Sequence, residues 1–172
     1  MAQQATEKEL KQANEVYEAL IKMFEDMDYP YDIIDSGNDN EKVLHIRSAG
    51  DDLPMEFYII IDAYFQQFKV KSPQPVTFSE DQYSDAAQVI CAINDVLRFG
   101  CFTLDLSDGT VMFNFYHLFM DSLVSPDLWG FLIRMSVEIV DEYNDKLLML
   151  AKGMIDKDSL LEKLGLAGDD GE

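Results

Sequence analysis

The sequence predicts an α+β fold in which a single antiparallel sheet of five or six strands packs against three main helices. Three observations lead to this prediction. Long segments repeat apolar residues at spacings of three and four, as amphipathic helices do. Shorter segments rich in β-branched and aromatic residues lie between turn-forming clusters. Residues 101–116, CFTLDLSDGTVMFNFY, place two apolar arms around Asp108-Gly109. The predicted order is α-β(β)ββ-α-ββ-α.

The first helix is predicted over Glu7–Met27. Pro30 ends it, because the residue before a proline is pushed towards extended geometry. The residues expected to face the core are Leu10, Ala13, Tyr17, Leu20, Phe24 and Met27.

Three or four strands should follow. Tyr31–Asp35 and Lys42–Ser48 flank the turn-forming cluster SGNDNE and predict a hairpin. Glu56–Ile61, EFYIII, is apolar on both alternating faces, which is typical of a middle strand buried on both sides. Phe65–Ser72 can pair with it, and the SPQPV segment is expected to carry the chain out of the sheet.

The second helix has a well-marked start. Ser79 can cap it with Gln82 in a capping box, and Phe78 can pack on Tyr83. Gly100 is the expected stop. The inward stripe is predicted as Tyr83, Ala87, Ile90, Asn94 and Leu97.

A hairpin follows, with a two-residue turn predicted at Asp108-Gly109. The cross-strand pairs that this turn implies are Leu106 with Val111, Leu104 with Phe113, and Phe102 with Phe115. All six side chains then lie on one face, against a helix.

The third helix is predicted to start at Ser125-Pro126 and to end at Gly153, with Val124 packed on Trp129 at its start. Its inward residues are predicted as Trp129, Ile133, Val137, Val140, Tyr143 and Leu147. Residues 1–153 are expected to form one domain. Residues 154–172 are expected to form a short helix and a mobile acidic tail.

Composition limits the partners. A chain of 172 residues can bury roughly 70% of its unfolded surface as one domain. Its 13 basic and 33 acidic residues give a net charge of −20, which repels nucleic acids and anionic membranes. This charge favours a basic partner, or it serves solubility alone. Both interpretations stay open.

Cysteine usage and the N-terminus predict a soluble, cytoplasmic protein. Cys91 and Cys101 form no CxxC unit, so we expect two buried, reduced thiols. The N-terminal residues lack the pattern of a signal peptide, and no apolar run approaches the roughly 20 residues that span a bilayer.

No pattern points to an enzyme, a metal or a cofactor. The cluster Asp35, Asp39 and Glu41 lacks calcium-loop spacing. His45, His117, Cys91 and Cys101 are not spaced as zinc-ligand pairs. Neither a GxSxG elbow nor a phosphate-binding glycine loop occurs.

Protein binding is the better-supported hypothesis. Helices that pack together can cover one side of a single sheet, which would leave a second side carrying Tyr and Met. Such residues favour protein interfaces. The candidate partner-binding residues are Tyr58, Ile60, Met112, Asn114 and Tyr116. The alternative is that a helix crosses to this side and buries it.

Residues 84–150 resemble the YbjN-like family of bacterial sensory transduction regulators, whose fold is similar to that of type III secretion chaperones. The residues that carry the resemblance are Ile93-Asn94, Phe99-Gly100, Leu104, Leu106, Asp108-Gly109, Val111–Phe113 and Ser125-Pro126. The acidic extension after Gly153 departs from the family pattern.

The resemblance implies a cytoplasmic, non-enzymatic regulator or chaperone-like binder that forms a homodimer or holds a client segment. The leading hypothesis is therefore a protein-binding regulatory domain of bacterial signal transduction that uses a sheet face. An acidic decoy or inhibitor that captures a basic protein is the alternative, and a small-molecule or metal enzyme is a third hypothesis.

Overall fold

A computed structural model describes residues 4–120, 122 and 125–166. Its helices are α1 (Glu7–Asp26), α2 (Tyr83–Val96), α3 (Pro126–Ala151) and α4 (Lys157–Lys163), with a 3₁₀ turn at Glu80–Gln82. Its strands are β1 (Asp32–Ile34), β2 (Glu41–Ser48), β3 (Met55–Asp62), β4 (Gln67–Thr77), β5 (Cys101–Leu104) and β6 (Thr110–Leu118). The predicted α+β order is confirmed.

The six strands form one sheet in the order β1-β2-β3-β4-β6-β5, and every neighbouring pair is antiparallel. The first four strands are therefore neighbours in chain order, from β1 at one edge to β4. After α2, the β5–β6 hairpin is added with β6 against β4. The middle position predicted for the EFYIII strand is confirmed, since β3 is the third strand of six.

The main helices pack against the same face of this sheet. Trp129 of α3 stacks on Phe68 of β4, with ring centroids 4.6 Å apart. Tyr143 of α3 meets Phe102 of β5 edge to face at 6.0 Å. Fully buried residues of the covered face are Leu44, Phe57, Ile59, Ile61, Phe68, Val70 and Phe113. The expectation that Phe102 and Phe113 face the helices is confirmed.

The opposite side of β3 differs from its prediction. Phe57, Ile59 and Ile61 are completely buried, but Tyr58 and Ile60 on the other face are only half-buried. The expectation of burial on both sides was wrong, because no helix among the described residues packs over the second face.

The stripe predicted for α1 is too long at both ends. Leu10 and Met27 are exposed, Met27 by 64%. Met27 follows the last helical residue as the C-cap, so its side chain lies beyond the helix–sheet contact. The buried residues of α1 are Ala13, Val16, Tyr17, Leu20 and Phe24.

The stripe predicted for α2 is rotated. Ala87 is exposed, and Asn94 bonds to the backbone of Phe102 instead, donating to its O at 2.9 Å and accepting from its N at 2.8 Å. These two bonds hold Asn94 at the backbone of β5, and the buried stripe lies about one position earlier than predicted, for example at Ala86 and Ile93. The buried residues are Ala86, Val89, Ile90 and Ile93.

The predicted cap residues hold at both helix starts. Gln82 Oε1 accepts hydrogen bonds from Ser79 N and Oγ, at 3.1 and 2.9 Å. Ser125 Oγ accepts from Asp127 N at 3.2 Å. The predicted contact of Val124 with Trp129 and the acidic tail 167–172 lie outside the described residues.

The β5–β6 hairpin has a longer turn than predicted. Phe102 pairs with Phe113 and Leu104 with Val111, a shift of two residues. Asp105 O accepts from Gly109 N at 2.7 Å, and the Asp105 carboxylate accepts from Ser107 N, which builds a wider loop. An even shift keeps the same face inward. Leu106 alone leaves that face and is 65% exposed.

Two further expectations were wrong. The SPQPV segment does not leave the sheet: β4 continues to Thr77, with Pro73 opposite Met112 and an irregularity between Pro73 and Thr77. The cysteines are not buried, because Cys91 lies on the solvent side of α2 and Cys101 is half-buried on β5. Among the described residues, no helix combines the length and apolarity needed to cross a bilayer.

Gly109 is where the hairpin loop meets the start of α2. Its φ is +75°, and a Cβ there would lie 2.0 Å from Phe78 O. Gly37 has a similar φ of +67° but open space around it.

We predict that Gly109→Ala lowers the free energy of unfolding by about 3 kcal/mol or more, and Gly37→Ala by about 1 kcal/mol. Urea denaturation of both variants measures the difference. Equal losses would contradict the close approach at Gly109.

Candidate functional site

The sheet surface opposite the helices is the candidate site, and we call it the open face. It consists of alternate residues on each strand, fixed by the register. The central part comprises Val43, His45 and Arg47 of β2, Glu56, Tyr58 and Ile60 of β3, Lys69 and Lys71 of β4, and Met112, Asn114, Tyr116 and Leu118 of β6. No described helix covers it, so the alternative that a helix crosses to this side does not hold for the described residues.

The structure places all five candidate residues on the open face, in two groups. Tyr58 and Ile60 lie on β3 and are half-buried. Met112 is half-buried on β6, Asn114 is buried, and Tyr116 is 48% exposed. Strand β4 separates the two groups.

Two lysines that were not predicted from the sequence lie between these groups. Lys69 is opposite Ile60 on one side and Tyr116 on the other. Lys71 is likewise opposite Tyr58 and Asn114. The alternation of FKVKS in β4 was the available signal, but it needed the strand register to place the lysines beside the candidates.

Lys69 is neutralised within the chain. Its Nζ donates to Asp62 Oδ2 at 2.7 Å and to Glu41 Oε1 at 3.4 Å. Burial favours the neutral amine, but the hydrogen bond and charge of Asp62, together with Glu41, outweigh it and hold the pKa of Lys69 above its ordinary value. The Asp62 side chain is only 5% exposed, so this ion pair balances a buried carboxylate.

Lys71 has no such partner. Among the described residues, no carboxylate lies within ion-pair distance of its ammonium group. The diagonal neighbour Glu56 is directed to β2, where it lies 3.8 Å from Arg47 Nε and 3.8 Å from His45 Nε2. Two lysines on the same strand and face thus differ in internal charge pairing.

A charged cluster surrounds His45 at the β1–β3 end of the open face. His45 is 5% exposed and stacks on Tyr58, with ring centroids 4.8 Å apart. Its Nδ1 lies 3.5 Å from Asp32 Oδ2, and Arg47 also reaches Asp32 at 3.2 Å. These contacts tie the short edge strand β1 to β2.

Asn114 orients the β6 part of the face. Its Nδ2 donates to Thr103 Oγ1 at 3.0 Å, and its Oδ1 accepts from the Tyr116 hydroxyl at 3.2 Å. Asn114 therefore uses its side chain within the chain and positions Tyr116. Two of the five candidates, Asn114 and Tyr116, thus already use side-chain polar atoms within the chain.

A second concave surface was not predicted, namely an apolar groove of about 860 Å³ between α1 and α3. Met23, Met27, Phe131 and Val137 form much of its walls, over a floor that includes Ile46. The groove depends on how closely two helices far apart in sequence approach each other, which a helical stripe does not reveal.

The described residues bring together no group of three His, Cys, Asp or Glu side chains that could hold a metal ion. The open face combines aromatic and aliphatic side chains with the ammonium groups of Lys69 and Lys71.

The comparisons with known proteins agree with this architecture. Residues 17–149 match the YbjN family model, described as "Putative bacterial sensory transduction regulator". The chain therefore belongs to the YbjN family. The family description names a regulator.

Among solved structures, the chain is similar to "YbjN, a putative transcription regulator from E. coli", with a TM-score of 0.55 and 13% sequence identity. The match covers 80% of this chain and 93% of that chain, and at this identity it concerns the fold. No curated protein matches the chain.

The two lysines give a matched test of the ion pair. We predict that Lys69→Met lowers the free energy of unfolding by about 3 kcal/mol or more, because it leaves the Asp62 carboxylate buried and unpaired. Lys71→Met should change it by about 0.5 kcal/mol or less. Urea denaturation at neutral pH measures both.

The same pair has a pH signature. A lysine whose pKa is raised in the folded state stabilises fully below its unfolded pKa, about 10.4, and loses that contribution as the pH rises through the folded value. The stability difference between the wild type and Lys69→Met should therefore narrow above about pH 10.4. A difference that stays constant there would exclude the ionised pair as its cause.

Proposed function

We propose that the protein is a non-enzymatic regulator that acts by binding protein through its open face, either a second copy of itself or a client peptide. The observation behind this proposal is the asymmetry of β3 and β6. On the covered side, β3 is apolar and β6 is apolar except for His117, whereas on the other side they present Tyr58, Ile60, Met112 and Tyr116 with no described helix over them. A partner would complete a second layer.

The residue types favour an interface over an ordinary solvated face. Tyr and Met are enriched where proteins meet, and Met adapts to partners of different shape. Leu118 extends the surface beyond Tyr116 and is 51% exposed. Neighbouring exposed residues such as Tyr116 and Leu118 mark interaction sites more often than isolated apolar residues do.

Membership of the YbjN family supports a role in bacterial signal transduction, in which such a domain would act in the cytoplasm. We propose that residues 1–153 form this domain and that α4 is an addition to it. The Leu160 side chain of α4 is buried against the rest of the chain, which favours an appended, docked helix.

Capture of a basic protein by charge remains the alternative, and salt separates the two modes. Exposed charges are screened beyond about 8 Å at physiological ionic strength, so charge capture should weaken steeply as salt rises. The affinity of binding through Tyr116 and its apolar neighbours should change far less with salt.

Tyr116→Asp tests the open face directly. We predict that the wild type self-associates in sedimentation equilibrium, or binds short random peptides displayed on phage. Tyr116→Asp should lose either activity, because it places a carboxylate in the apolar contact. Leu106→Asp is the matched control, since Leu106 is also a large exposed hydrophobic residue but lies in the hairpin loop.

Hydrogen exchange gives a second readout. On association, the backbone amides of β6 and of the sheet edge should exchange more slowly. A wild type that stays monomeric at every concentration and selects no peptide sensitive to Tyr116→Asp would overturn the proposal. So would equal losses in Tyr116→Asp and Leu106→Asp.

A further inference from the structure

We infer that the client segment of the open face presents a carboxylate to Lys71, between apolar side chains that contact the β3 and β6 groups. This inference rests on the proposed function and specifies the partner chemistry. It follows from the difference between the two lysines of β4. Lys69 is held by Asp62 and Glu41, whereas Lys71 has no carboxylate within ion-pair distance among the described residues.

The surroundings of Lys71 favour an anionic group from outside the chain. Its cross-strand neighbours are Tyr58 and Asn114. Tyr58 stacks on His45, and the polar atoms of Asn114 bond to Thr103 and Tyr116. These neighbours are already engaged, so the ammonium donors of Lys71 are available for a partner.

On binding, the charge of Lys71 determines which partner segments are accepted. Lys71 is already half-buried, and a segment laid across β4 would remove more of its water. An ammonium group buried without a partner is costly, so an apolar or basic segment is selected against at this position. A charge-assisted hydrogen bond to Asp or Glu offsets that cost and gives the stronger class of contact.

The net charge of −20 does not oppose this preference at close range. Beyond about 8 Å the field of the chain is screened at physiological salt, whereas a contact pair that excludes water is screened much less. Glu56, a diagonal neighbour of Lys71 in the strand register, is engaged by Arg47 and lies towards His45.

Geometry favours a client over a symmetric second copy at this position. A two-fold axis through β4 would make each surface contact the same surface of the other copy. Where that axis passes at Lys71, it would place Lys71 against Lys71 of the second copy, and like charges in an interface repel. A linear acidic segment avoids this conflict.

The test selects peptides from a phage-displayed library of short random sequences on the wild-type protein. Peptides that lose binding to Tyr116→Asp define the face-directed set. We expect this set to be enriched in Asp or Glu at one position flanked by apolar residues. Lys71→Glu should weaken binding about tenfold or more, which corresponds to about 1.4 kcal/mol. It should also select Lys or Arg at that position from the same library.

Lys22→Glu is the control, because it makes the same charge change on α1, away from the open face. It should leave the face-directed peptides bound. A face-directed set with no acidic enrichment, or one that binds Lys71→Glu as tightly as the wild type, would overturn this inference and leave the proposed function standing. If the library yields no face-directed peptide, client binding and this inference fail together, and sedimentation of Tyr116→Asp then decides self-association separately.

Discussion

The packing of the main helices on one face of a single sheet is the constraint on which the rest of this structure depends. Trp129 stacking on Phe68 fixes α3 over the central strands, and Leu20 and Phe24 place α1 beside it in the same core. Strand β6 pairs with β4, so the late hairpin extends this layer instead of forming a second one. The apolar faces of the helices are buried on this side of the sheet. Among the described residues, no helix covers the other side.

Because of this one-sided packing, the buried charged residues on the open face are covered by neighbouring side chains and not by a described helix. On the open face, Asp62 is buried although no helix lies above it, because the long side chain of Lys69 covers and neutralises it. His45 is buried in the same way, between Tyr58, Asp32 and Glu56. Neighbouring side chains of the open face therefore shield its polar groups from water. The resulting surface combines apolar side chains with charges that are already paired within the chain. Lys71 departs from that pattern, and this is why its position is informative about a partner.

The open face and the groove between α1 and α3 lie on opposite sides of the protein. At Gly130 in that groove, a Cβ would lie 3.1 Å from Met23 Sδ, so the two helices approach closely where α3 begins. Both helices contact the sheet, which provides a physical connection between the two surfaces through β3 and β4.

The sequence by itself determined the elements and which face of each strand is apolar, because those features depend on local spacing. The Ser79–Gln82 and Ser125 caps and the inward Phe102 and Phe113 follow from neighbours a few residues away. Only the tertiary structure decided the register of the β5–β6 hairpin, because the Asp105 side chain supports a longer turn. It also decided which side of α2 is buried, because Asn94 bonds to the backbone of Phe102. It alone placed Lys69 and Lys71 between the two candidate groups, because that requires β4 to pair with both β3 and β6. Long-range pairing is absent from local patterns, so the charge on the open face had to be read from the folded chain.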